Sequence, residues 1–127
     1  MAKILLIDDD RDLVDLTKIT LVKAGYQVSI LHTATNVLEK IKELKPDLII
    51  MDIMMPGISG AEAVRNLKRD HEFKNMPVIF LTGLISGEEE EVEKTGINIE
   101  GKSYKTLGKP YEISELLELV KNTLIKG

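Results

Sequence analysis

Cysteine and tryptophan are absent from the sequence, histidine occurs twice, and aromatic residues make up only 4% of the chain. Without cysteine there is no disulfide framework and no thiolate metal site. His32 and His71 are too few for an all-histidine site, so any metal must be held mainly by oxygen. No apolar run approaches the ~20 residues that a membrane span requires, and Met1-Ala2-Lys3 leads straight into a strand-like segment without a signal peptide. The expectation is a cytoplasmic protein with no membrane partner. Charge is short on the basic side, with 17 Lys and Arg against 21 Asp and Glu for a net charge of −4, and the basic residues are scattered. Such a surface repels a phosphate backbone, so nucleic acid is not an expected partner. The densest run of charge, Glu88-Glu89-Glu90-Glu91, reads as the solvated start of a helix, where carboxylates suit the dipole.

What the chain does have is apolar material: 43% of its 127 residues are hydrophobic, enough for one domain over residues 1–127. Neither repeats nor a Pro/Ser-rich linker divide it. Ile4-Leu5-Leu6-Ile7, Leu48-Ile49-Ile50-Met51 and Val78-Ile79-Phe80-Leu81 are continuous apolar runs, as expected of parallel strands covered on both faces, and Val28-Ser29-Ile30-Leu31 is a more polar version suited to an edge. Between them lie segments of helical period: Leu13, Leu16, Thr17, Leu21 and Ala24; Ala34, Val37, Leu38, Ile41 and Leu44; and Ile113, Leu116, Leu117, Val120 and Leu124. Gly25 reads as a C-cap, Pro46 as a stop, Asp10 as an N-cap, and Pro56-Gly57 with Ser59-Gly60 as a loop into a helix near 61–69. Residues 95–102 read as a long connection, followed by a fifth strand at Tyr104-Lys105-Thr106-Leu107. The expected fold is therefore α/β: a (βα)5 doubly wound, parallel five-stranded sheet in the flavodoxin-like order 2-1-3-4-5.

Ligands in such sheets bind where the strand order reverses, beyond the carboxyl ends of the strands. The sequence places its unusual polar residues there. The first strand leads into Asp8-Asp9-Asp10, the third into Asp52, the fourth into Thr82, and the fifth, after a short turn, into Lys109-Pro110. Adjacent strands lie about 4.8 Å apart, so Asp8 or Asp9 shares an ion with Asp52, and Lys109 starts roughly 10 Å away, within reach of its stem. Clustered carboxylates call for a hard divalent cation, and Mg²⁺ suits a few carboxylates, a backbone carbonyl and waters. An acceptor carboxylate, a metal, a hydroxyl and a lysine are the parts of phosphoryl transfer to an aspartate.

These motifs resemble the receiver domains of two-component response regulators, and the likeness covers essentially the whole chain. It is carried by Asp8-Asp9, by Pro46-Asp47 before the strand that ends at Asp52, by Asp52-Ile53-Met54-Met55-Pro56 with Gly60, by Thr82, and by Lys109-Pro110 before an amphipathic helix. The resemblance implies that Asp52 accepts a phosphoryl group from a histidine kinase or phosphorelay phosphotransferase. It implies that Asp9, Asp52 and the Met54 carbonyl bind Mg²⁺ directly and Asp8 through water, that Thr82 and Lys109 contact the phosphoryl group, and that Lys109-Pro110 is a cis peptide. Such a protein is no enzyme beyond its own phosphorylation and slow autodephosphorylation. It acts by switching a protein-interaction surface towards a downstream protein that the residues do not name.

Two departures from the family pattern stand out. The family's aromatic switch residue, three positions before the lysine, is here Thr106, and Tyr104 lies on the same face of the strand as a candidate substitute beside Thr82. The connection from Thr82 to Lys109 is also longer than usual. The residues two beyond Asp52 and two beyond Thr82, which in the family govern how water reaches the acyl phosphate, are Met54 and Leu84, and neither can position water. Slow self-dephosphorylation follows. The alternative function is a phosphorylation-independent interaction module with the same fold. A haloacid-dehalogenase-like hydrolase would need an acid where Met54 stands, and a flavin phosphate would be repelled by the three aspartates. With no DNA-binding or catalytic segment, the expectation is a stand-alone receiver or a fragment of a longer regulator. It is expected to be a monomer, or a phosphorylation-dependent dimer through the family's fourth helix, fifth strand and fifth helix.

Overall fold

The computed structural model describes residues 2–53, 59–83, 97–99, 101–109 and 111–126. Within them the strands are β1 (Lys3–Ile7), β2 (Gln27–Leu31), β3 (Leu48–Asp52), β4 (Val78–Gly83), β5 (Ile97–Ile99) and β6 (Lys102–Lys109). The helices are α1 (Arg11–Lys23), α2 (Val37–Leu44), α3 (Gly60–Lys68) and α4 (Ile113–Lys126). They form one six-stranded sheet in the order β2-β1-β3-β4-β6-β5.

The first five strands of that order are parallel. The doubly wound order 2-1-3-4-5 is therefore present, with β6 as its fifth parallel strand. One element was not expected. Ile97–Ile99, read from sequence as part of a connection, forms a strand antiparallel to the first half of β6, with Ile97 opposite Tyr104 and Ile99 opposite Lys102. The sheet has six strands rather than five, and its last pair is a tight hairpin turning at Gly101, whose φ of +87° lies where a side chain would be strained. Three residues are too few to show a hydrophobic period, and the strand exists because β6 offers it an edge.

Alternate residues of each strand enter opposite layers, as the pleat requires. Ile4 and Leu6 of β1, with Leu48 and Ile50 of β3, pack with Val14 and Leu21 of α1 and Leu116 and Val120 of α4. Leu5, Ile7, Ile49 and Met51 pack on the other side with Val37 and Ile41 of α2 and Val64 and Leu67 of α3. All of β3 is buried, which explains its unbroken apolar run.

The face that α1 buries differs from the expected one. Val14, Thr17 and Leu21 are inside, whereas Leu16 is 56% exposed and Ala24 is also exposed. At about 100° per residue, Leu16 lies roughly 200° from Val14, so only one of them can face the sheet. The helix starts where the sequence indicates: Asp10 caps it by accepting from the Leu13 N–H at 3.1 Å. It ends at Ala24, followed by Gly25 at φ +101°. Helix α3 begins at Gly60, capped by Ser59 Oγ, which accepts from the Glu62 N–H at 3.2 Å.

Candidate functional site

The parallel register brings the carboxyl ends of β1, β3, β4 and β6 to one edge. Asp52 is the last residue of β3, opposite Leu81; Thr82 follows Leu81 on β4, opposite Gly108; and Lys109 closes β6, opposite Gly83. Lys109 therefore lies inside the strand and not after a turn. Asp8 follows β1 directly, its N–H donating to Leu31 O at 3.1 Å, so β2 helps to aim it.

Asp8, Asp9 and Asp52 each offer a carboxylate oxygen, and the three oxygens lie within 4.8 Å of one another. Asp8 and Asp52 are buried and Asp9 is exposed. Lys109 reaches into the group from two strands away: its Nζ donates to Asp52 Oδ2 at 2.9 Å and lies 2.7 Å from Asp8 Oδ2. Burial alone would lower the Lys109 pKa, but the contacts with Asp8 and then Asp52 outweigh it and hold the ammonium above its ordinary pKa. One ammonium cannot balance three carboxylates.

Two buried side-chain oxygens have no hydrogen bond among the described residues, Asp8 Oδ2 and Thr82 Oγ1. Asp8 Oδ2 still has the Lys109 ammonium 2.7 Å away as an ion-pair partner, whereas Thr82 Oγ1 has none among the described residues. Buried polar atoms are seldom left unpaired, and leaving one costs about 1–3 kcal/mol. Here both belong to residues grouped at the same edge of the sheet. The donor set, oxygen-only and carrying two more negative charges than Lys109 neutralises, fits a hard divalent cation held by Asp8, Asp9 and Asp52.

The backbone around Asp52 is held by a close approach. The Gly60 N–H donates to Ile53 O at 3.0 Å, and a Cβ on Gly60 would lie 2.9 Å from Ile53 Cα and 3.0 Å from Asp52 O. Gly60 is legible in sequence as part of a motif, but its reason is this contact, which no local pattern displays.

Of the residues singled out in the sequence, the structure gathers Asp8, Asp9, Asp52 and Lys109, with Thr82 on the neighbouring strand. It does not bring Tyr104 there. Tyr104 is buried in the core, edge-on to Phe80 with ring centroids 5.9 Å apart. It stands four residues before Gly108, the partner of Thr82, roughly 13 Å along the strand. Thr106 is buried opposite Phe80, between these levels. Met54, Leu84, the Glu88–Glu91 run and the Lys109-Pro110 peptide lie outside the described residues, as does any helix between β4 and β5. Sequence reasoning passed over Tyr111, whose hydroxyl meets Thr17 of α1 at 2.7 Å. Its partner is 94 residues distant, so no spacing rule signals the pair.

Comparison with known proteins agrees with this fold. Residues 4–121 match the family model described as the response regulator receiver domain. Similar solved structures include the chemotaxis response regulator CheY4 of Vibrio cholerae, at 28% identity and TM-score 0.81, with 97% of this chain and 98% of that chain covered. A CheY-like receiver domain protein from Methanospirillum hungatei is 29% identical over 99% of this chain and 95% of its own, with TM-score 0.81. The receiver domain of a signal transduction histidine kinase from Syntrophus aciditrophicus is 26% identical over 99% of this chain and 92% of its own, with TM-score 0.83.

Proposed function

The chain belongs to the response regulator receiver family of two-component signalling, and on that premise we propose that Asp52 is its phosphoacceptor and that Asp8, Asp9 and Asp52 hold Mg²⁺. The observation that carries this reading is Lys109 Nζ set between Asp8 and Asp52, on the edge where the Thr82 hydroxyl has no partner among the described residues. In the reaction an Asp52 oxygen attacks the phosphorus of a phosphohistidine on a histidine kinase or phosphotransferase. The O–P bond forms as the P–N bond breaks, leaving an aspartyl phosphate and a free imidazole. Mg²⁺, when bound, supplies positive charge that lets the phosphoryl oxygens approach this acidic edge. Lys109 would pass from its ion pair to a phosphoryl oxygen, and the Thr82 hydroxyl would donate to another.

The Met54 carbonyl as a further metal ligand, and slow self-dephosphorylation from Met54 and Leu84, belong to the same proposal, as does phosphorylation-dependent pairing of an otherwise monomeric chain. Among the described residues no helix is long and apolar enough to cross a membrane. Receiver domains are signalling domains rather than conventional enzymes, and the chemistry proposed for this chain is its own phosphorylation and slow autodephosphorylation. The test is the intact mass after incubation with acetyl phosphate, with and without Mg²⁺. One phosphoryl group is expected, dependent on Mg²⁺ and absent from Asp52→Ala. No gain in a folded wild-type protein would favour a phosphorylation-independent interaction module.

A further inference from the structure

Tyr111 stands two residues after Lys109 and makes a contact that the proposed chemistry does not account for. Its hydroxyl lies 2.7 Å from Thr17 Oγ1, and Thr17 is completely buried in the second turn of α1. That helix starts at Asp10, immediately after Asp8 and Asp9. The bond thus ties the segment leaving Lys109 to the helix leaving the acidic pair.

A buried threonine in a helix does not need such a partner, because it can donate to the carbonyl four residues back. Thr20 does so to Leu16 O at 3.1 Å, and Thr123 to Leu119 O at 2.7 Å. Thr17 instead meets Tyr111. A phenylalanine at position 111 would fill the same apolar space against the layer of Leu116 and Val120. What tyrosine adds is the hydroxyl, and with it the crossing to α1.

Lys109 has reason to need this anchor. Its pairing with Gly83 is the last of the β4–β6 ladder among the described residues. Its stem is flexible, yet Nζ must stay within about 3 Å of two carboxylates, one at the end of β3 and one just beyond β1. Tyr111 is close enough to sense the same charges. Burial raises its phenol pKa, opposed by the Thr17 hydrogen bond, with Asp8 and Asp10 raising it further and Lys109 lowering it, so the hydroxyl stays protonated at neutral pH.

We propose that Tyr111 is a positioning residue: its hydroxyl, fixed by Thr17, anchors the segment after β6 to α1 and so holds Lys109 over Asp8 and Asp52. The inference rests on the proposed phosphoryl-accepting role for its effect on rate, and on the structure alone for its effect on Lys109.

The experiment uses the full chain and the variants Tyr111→Phe, Thr17→Val and their combination, with two readouts. One is the rate of phosphoryl gain from acetyl phosphate and Mg²⁺, followed by intact mass. The other is the Lys109 pKa without metal, followed by NMR of the side-chain ε-methylene. Each single variant is expected to slow phosphoryl gain by about threefold to tenfold, the range of one neutral hydrogen bond, and the double variant no further. The Lys109 pKa is expected to fall towards its ordinary value near 10.5. Adding Tyr111→Phe to Lys109→Arg should leave the rate of that variant unchanged, because the effect passes through Lys109. A lower urea midpoint with both the rate and the Lys109 pKa unmoved would reduce the bond to packing and overturn the proposal. A wild type that takes up no phosphoryl group, while Tyr111→Phe still lowers the Lys109 pKa, would retain the anchor and remove the phosphoacceptor reading.

Discussion

The two halves of β6 do different work with the same backbone. The first half, Lys102 to Tyr104, pairs antiparallel with β5 and turns Tyr104 inward against Phe80. The second half, from Lys105 to Lys109, forms the parallel ladder with β4 and delivers Lys109 to the acidic edge. One half is core and the other is site. The aromatic residue that sequence offered as a switch is on the core half, two residues before Thr106 and four before Gly108, the partner of Thr82. In a strand, a shift of two residues preserves the face but moves the side chain roughly 6.6 Å along the axis.

If the halves are independent, substitutions in one should spare the other. Tyr104→Ala should have the largest effect, about 3–5 kcal/mol of stability from the lost ring and the cavity it leaves. The phosphoryl-acceptance rate of the protein that remains folded should be unchanged. Urea titration and intact-mass kinetics test both, and a slower rate in folded protein would show that the two halves are coupled. Lys109→Met should do the reverse, slowing phosphoryl gain by about 10²-fold through loss of a charge that assists the transfer. Its cost in stability without metal should be smaller, about 1–3 kcal/mol, because it leaves Asp8 and Asp52 without their cation, and added Mg²⁺ should restore it.

Gly60→Ala approaches the site from α3. A methyl group 2.9 Å from Ile53 Cα must displace backbone, which should cost about 1–3 kcal/mol and slow phosphoryl gain by shifting Asp52. A crystal structure of the variant with Asp52 unmoved would refute the second part. Thr82→Val should be the mildest change in stability, within about 1 kcal/mol, because it removes a hydroxyl that has no partner among the described residues. It should still slow phosphoryl gain by about tenfold, the worth of a hydrogen bond to a charged group.

The alkaline limb gives a last comparison. The folded state raises the Lys109 pKa, so its contribution to stability is complete below the unfolded value near 10.5 and is lost as pH rises through the folded value. The difference in urea midpoint between wild type and Lys109→Met should therefore be flat to about pH 10 and shrink above it. A difference that already shrinks between pH 7 and pH 9 would mean that another group controls it.

The parallel strands were legible because each is a short apolar run, and the site because each run ends in a residue that an ordinary strand end does not require: Asp8, Asp52, Thr82, Lys109. Position in a doubly wound sheet then does the gathering, since the ends of all parallel strands meet on one side. Less legible was the choice between residues of equal hydrophobicity. Leu16 and Val14 are both apolar, and which of them α1 turns to the sheet is set by how the helix packs, with Val14 buried and Leu16 exposed.

By itself the sequence determined the order of the five parallel strands and the edge on which Asp8, Asp9, Asp52, Thr82 and Lys109 collect. These follow from patterns of a few residues and from rules of connection that nearly all parallel sheets obey. Only the tertiary structure decided that Ile97–Ile99 is a strand, that Tyr104 belongs to the core, that Gly60 lies against the backbone of Asp52, and that Tyr111 reaches Thr17. Each of these is a contact between segments with no local signature. Pairing, close approach and side-chain crossing depend on what the rest of the chain has already placed nearby.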